Sequence, residues 1–300
     1  MLGASIAMAG FDLPALALPQ SGDGVVVATA LIAAVISGAI GYGFSTLLVP
    51  VALLYYASRV LNPGLVLAEI ALNLLGLWLN RRSLGRVFRR VLPMIIASVP
   101  GIILGVLVLK AARADVLRFI TYVVLLPLVL LQAAGLRRPM PPGSRAELPL
   151  GFGIGVLYST TTISGPPLAL LLSNQGLAQD EFRAALALFR VVESLATAIV
   201  YLSLGLYSPP SLHVAAYILP CILIGVPIGR LLISRIEPEL FRRVCMAIDA
   251  WLISFGLSRL LLSEGPTLAR FAYLPLVVVV VLDAVILWRY LKSRTAAQPP

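Results

Sequence analysis

Histidine, cysteine and acidic residues are all scarce in this chain. One histidine and two cysteines among 300 residues leave no metal-ligand set at a useful spacing and no disulfide framework. Cys221 and Cys245 lie inside apolar runs and read as inert packing residues. His213 falls at the start of a predicted external loop, where it reads as solvated or capping. Without a base beside a nucleophile, and with neither Asp249 nor Asp283 framed by glycine, an intramembrane protease is disfavoured. No enzymatic activity, metal or other cofactor is therefore expected. Only 12% of residues are charged, and no polar stretch is long enough for a soluble domain. The net charge of +10 does not imply a nucleic-acid partner. Its basic residues sit in short clusters between apolar runs, a pattern that reports membrane orientation.

What the chain has is apolar residues, 60% of the total. Runs long enough to span a bilayer recur throughout, so the fold class is an all-α polytopic membrane protein. The first broken segment covers Val25–Tyr56, followed by spans at Gly64–Leu79, Val91–Leu109 and Leu117–Gly135. A second broken segment, Leu148–Ser173, is followed by Phe182–Leu204, Leu212–Ile233, Arg243–Leu262 and an unpartnered Tyr273–Leu291. The expected organisation is an N-terminal segment at the membrane surface (1–24), repeat 1 (25–136), a linker (137–147), repeat 2 (148–262), and an extra transmembrane helix with a tail (263–300). The first twenty residues lack a basic n-region and carry Asp12 and two prolines, unlike a cleaved signal peptide.

Two stretches resemble one another. ALIAAVISGAIGYGFSTLLVPVALL breaks around Gly41-Tyr42-Gly43, and LPLGFGIGVLYSTTTISGPPLALLL breaks around Ser164-Gly165-Pro166-Pro167. Downstream, LPMIIASVPG (Leu92–Gly101) and LPCILIGVPIG (Leu219–Gly229) each place Leu-Pro seven residues before Val-Pro. Paired interrupted segments in two halves point to a transporter binding site. If each break is a hairpin turn, most basic loop and terminal residues fall on one side of the membrane; straight crossings scatter them. The hairpin arrangement makes the repeats inverted, with the N-terminus outside and the C-terminus cytoplasmic.

Half-helix N-termini offer free N–H groups and partial positive charge to an anion. The binding candidates are therefore Gly41, Tyr42, Gly43, Ser45 and Thr46 at the first break, and Thr162, Ser164, Gly165 and Pro166 at the second. Pro166 and Pro167 suit a first helical turn but supply no N–H, which favours the first arm as the anion cradle. The alternative is that the break glycines serve only close helix crossing. Glu69, Arg190, Glu193, Asp249 and Asp283 are predicted within spans, each at a cost of about 3 kcal/mol on insertion scales. Overlaying the repeats places Asn73 opposite Glu193 and Glu69 beside Arg190. Arg190 suits oxyanions through its planar fork, with Asn73 beside it and Glu69 and Glu193 as proton-coupling acids. The competing account has Arg190 and Glu193, or Arg190 and Glu69, merely neutralising each other. Asp249 and Asp283 read as packing or interface residues.

The chain resembles the TauE/SafE sulfite-exporter family (TSUP). GAIGYGFSTLLVP at Gly38–Pro50, SGPPLALLL at Ser164–Leu172 and QDEFRAALAL at Gln179–Leu188 carry the resemblance, which spans roughly Val25–Leu262. Tyr42 and Phe44 replace part of the denser glycine cluster usual at the first break, and Thr160-Thr161-Thr162 precedes the second. The resemblance implies a carrier of small sulfur-containing anions, sulfite or organosulfonates, in an inner (plasma) membrane. Its partners would be that substrate and the lipid bilayer, with a homo-oligomer possible. Export accords with a cell-negative potential, which drives anions outward at about 2.3 kcal/mol per charge per 100 mV. An anion channel or an intramembrane enzyme is the alternative.

Overall fold

The structure is a computed structural model that describes residues 22–134, 146–173, 175–233, 238–263 and 269–297. Nearly all of the N-terminal segment and the linker lie outside these residues, as do the last three positions. The described chain forms α1 (Asp23–Ile40), α2 (Phe44–Ala52), α3 (Ser58–Leu79), a single 3-10 turn (Arg81–Ser83), α4 (Leu84–Ala111) and α5 (Ala114–Ala133). It continues with α6 (Glu147–Thr161), α7 (Gly165–Ser173), α8 (Gln179–Ser203), α9 (Pro209–Ile233), α10 (Pro238–Ser263) and α11 (Leu274–Ala297). No strand occurs among the described residues, and seven helices are long and apolar enough to cross a membrane. The protein is an all-α polytopic membrane protein.

Both breaks have a backbone cause. Helix α1 ends at Gly41, whose φ of 94° is left-handed, and Gly43 follows at 100°. Glycine takes this conformation without a Cβ clash. Helix α6 ends at Thr162, left-handed at φ 60°, and α7 opens with Gly165-Pro166-Pro167. At each break the chain folds back. The Tyr56 hydroxyl beyond α2 donates to the Asp23 carboxylate at the start of α1. In the second repeat, Gln175 beyond α7 donates to Glu147 at the start of α6, at 2.9 Å. Helices α2 and α7 have nine residues each, about 14 Å at 1.5 Å per residue and roughly half a hydrocarbon core.

Two helix ends differ from the hydropathy reading. Helix α3 starts at Ser58, ahead of Pro63, which sits inside it. Helix α4 starts at Leu84, well before its apolar run, because Val87 and Val91 are buried while Arg86, Arg89 and Arg90 lie on other faces.

The repeated Leu-Pro/Val-Pro signature acquires a role in packing. On α4, Gly101 and Gly105 approach the α6 backbone at Phe152 and Val156, while Gly151 and Gly155 of α6 approach Met94 and Ser98. On α9, Gly225 and Gly229 approach α1 at Ala34 and Val35, and Gly38 of α1 approaches Val226. Small residues four apart let membrane helices close backbone to backbone. Each interface joins the first hairpin arm of one repeat to the third long helix of the other, in parallel register. Helices α3 and α4 run antiparallel, with Arg59 at the start of α3 donating to carbonyls of Leu109, Lys110 and Ala112.

Surface and interior are arranged for lipid. Ile32, Ile96, Ile199 and Leu231 are exposed, whereas Ser, Thr, Asn, Glu and Arg side chains fill parts of the centre. The Arg81 guanidinium lies 5.0 Å from the Trp78 ring centre and the Lys292 ammonium 5.2 Å from that of Trp288, anchors typical of a membrane–water boundary.

Candidate functional site

Near the middle of the bundle, three helices bring polar groups to one carboxylate on a fourth. Glu69, near the middle of α3, is fully buried. It accepts from the Ser45 hydroxyl at the start of α2, from the Tyr158 hydroxyl of α6 at 2.7 Å, and from Arg190 Nη2 of α8 at 3.0 Å. Arg190 is only 2% exposed. An ion pair this deep is stable only when hydrogen bonds complete it, and Ser45 and Tyr158 supply them.

The second repeat holds a matching element. Ser164, immediately before α7, donates to Glu193 Oε2 at 2.6 Å. Each half of the chain thus has a serine at its helix break bonded to the glutamate of the next long helix. The two breaks also touch. A Cβ placed on Gly165 would stand 3.5 Å from Tyr42 Cβ and 3.7 Å from the Gly43 nitrogen.

The sequence candidates therefore converge, with differences in role. Arg190 pairs with Glu69 across the repeats; Glu193, three residues away, is bonded to Ser164 instead. Asn73 donates to the Arg190 carbonyl at 3.3 Å and faces Ser194 Oγ at 3.5 Å. The Thr46 and Thr162 hydroxyls donate to the carbonyls of Gly43 and Thr161. Tyr42 is buried and meets the Phe182 ring edge-on. The crossing glycines are those of the two interhelical interfaces, while Gly41 and Gly43 have room around them. For Gly43 only φ forbids a side chain. Gly43→Ala should cost about 1–2 kcal/mol from left-handed strain, whereas Gly165→Ala should be near neutral. Thermal unfolding of the two variants in detergent checks that contrast.

Three buried polar atoms of α8 have no hydrogen-bond partner among the described residues: Arg190 Nε, Glu193 Oε1 and Thr197 Oγ1. Buried polar atoms of this kind normally find a partner, so they mark where a ligand or water fits. A cavity of about 50 Å³ reaches Arg190 and Asn73 from the end of the bundle that carries the Arg81–Arg90 segment, passing Gly41, Asn80, Arg183 and Arg230. Asp249 and Asp283 lie elsewhere. Both are buried, Asp249 against Thr46 at the start of α2 and Asp283 against Trp251.

Tyr158, Thr197, Arg183 and Arg230 were not among the sequence candidates. Arg183 alone had a readable signal, since it precedes Arg190 by seven residues and so shares its helical face. Nothing in a single sequence announces Tyr158, whose partner lies in the other repeat.

A model of the protein family described as Sulfite exporter TauE/SafE matches residues 26–255, from α1 into α10. No curated protein and no solved structure matched the chain. The family match covers both broken helices, both serine–glutamate pairs and Arg190, and it spans well over half of the sequence. This chain belongs to the TauE/SafE family of membrane transporters.

Proposed function

We propose that the protein is a secondary carrier that exports small sulfur-containing anions, such as sulfite or organosulfonates, across a bacterial-type inner membrane. The observation that carries this reading is Arg190: a buried cation that lines a cavity and pairs with Glu69, its Nε without a partner among the described residues. Its planar fork suits an oxyanion, and Ser45 at the start of α2 reaches the Glu69 carboxylate that pairs with it. The parallel course of α4 and α6 and the antiparallel course of α3 and α4 support an inverted relation between repeats. Alternating access then arises from rocking of one repeat against the other around the paired hairpins. The N-terminus is outside and the C-terminus cytoplasmic, as the basic residues of the Arg81–Arg90 segment indicate by the positive-inside rule.

Anion and carboxylate compete for Arg190. An anion that takes the guanidinium leaves Glu69 without its cation in a buried site, where a proton is the cheapest replacement. Glu193 has one free oxygen beside the same arginine and can share that role. Glu69→Gln and Glu193→Gln together should remove the dependence of transport on a pH gradient while downhill exchange of the anion continues. A pH dependence unchanged in the double variant would end the coupling proposal. Labelled sulfite counterflow in proteoliposomes tests the carrier itself, because a channel gives no counterflow stimulation.

A further inference from the structure

The cavity that reaches Arg190 has two more cations that the buried ion pair does not use. Arg183, on α8, and Arg230, near the end of α9, both line it. They repel each other, and Asp180 is the acid that offsets Arg183. Glu181 is committed to Arg86 at 3.2 Å. Arg230 is exposed and makes no hydrogen bond or ion pair among the described residues. Arg183 spends one Nη2 hydrogen bond on the Ala39 carbonyl, at 2.8 Å, in the last turn of α1. Two like charges lining one cavity raise its positive potential and attract an anion between them.

From this arrangement we infer that Arg183 and Arg230 form an outer capture station for a small oxyanion, which rests on the carrier reading above. The station lies on the route to Arg190. Seven residues separate Arg183 from Arg190, about 10 Å along one helical face, so an anion passes from one guanidinium to the next in a single step. The cavity of about 50 Å³ holds a singly or doubly charged oxyanion of a few heavy atoms, such as sulfite, a short sulfonate or sulfate. The bond from Arg183 to the Ala39 carbonyl also ties the station to the first break, where a Cβ placed on Gly41 would stand 3.5 Å from Arg183 Cγ.

The test is labelled sulfite counterflow by the full chain in proteoliposomes. Arg230→Gln should raise KM about tenfold at low ionic strength, and the gap should close as salt screens the capture field. Arg230→Cys should show the same loss. Alkylation with bromoethylamine, which forms a cationic thioether, should restore KM, and alkylation with iodoacetate should not. The native Cys221 and Cys245 are buried and spared. Because Arg230 makes no bond to the described residues, its variants should fold even where Arg183→Gln does not. An unchanged KM at low salt, or a loss that restored charge does not repair, overturns the station. If the unmodified protein carries no sulfite, the carrier reading fails first. Sulfate-dependent thermal stabilisation then decides the station: a half-effective concentration raised by Arg230→Gln supports it, and an unaltered one overturns it.

Discussion

Arg190→Ala should abolish anion counterflow and lower stability by about 3–5 kcal/mol, the usual loss when one partner of a buried ion pair is removed. The two effects have different origins, and a second substitution separates them. In the single variant Glu69 keeps its bonds from Ser45 and Tyr158 but loses the cation 3.0 Å away. Adding Glu69→Gln removes the stranded charge, so most of the lost stability should return. Counterflow should not return, because no guanidinium remains to receive the oxyanion. Thermal unfolding and counterflow measured on both variants check this. Arg190→Lys, which keeps charge but not the fork, should weaken affinity about tenfold or more. Recovery of counterflow in the Arg190→Ala/Glu69→Gln double variant would show the arginine to be structural.

The second large effect lies in the packing of the bundle. Gly155→Val should destabilise the protein by about 3 kcal/mol or more, at or above the upper end for overpacking. A Cβ at this position meets the Ser98 carbonyl and Cα, which are backbone atoms and cannot rotate away. Gly101→Val, against the Phe152 carbonyl, should do the same from the facing helix. Gly85→Ala is the control. No atom lies within 4 Å of its Cβ position, and alanine in a helix should stabilise by about 0.5–1 kcal/mol. Detergent-phase unfolding of the three variants, with far-UV spectra to confirm helix content, reads the difference.

Much of this architecture is legible in the chain because membranes impose simple rules. Apolar run lengths locate the helices; Gly41 and Gly43 mark the first break through left-handed conformations that other residues resist, and Pro166-Pro167 marks the second by suiting a first helical turn. The duplicated Leu-Pro/Val-Pro segments announce two repeats, but not that Gly101 and Gly229 press against helices of the opposite repeat. That pairing is a contact between residues far apart in sequence, outside the reach of periodicity. The same limit governs the site. Helical spacing offers Glu193 as the neighbour of Arg190 and the overlay of the two halves offers Glu69; only tertiary packing decides between them, bringing Glu69 to the arginine and Ser164 to Glu193. Intramembrane charge made Glu69, Arg190 and Glu193 visible, since each is too costly to be incidental. Tyr158 and Thr197 cost little in a span and carried no such mark.

The most direct measurement is uptake of labelled sulfite, sulfoacetate and sulfate into proteoliposomes, with an imposed pH gradient and membrane potential. Saturable, counterflow-stimulated flux of at least one anion, inhibited by the others and absent from the Arg190→Ala/Glu69→Gln protein, is the predicted result. Folded protein that moves none of the three, or that moves one without saturation or counterflow, would contradict the account.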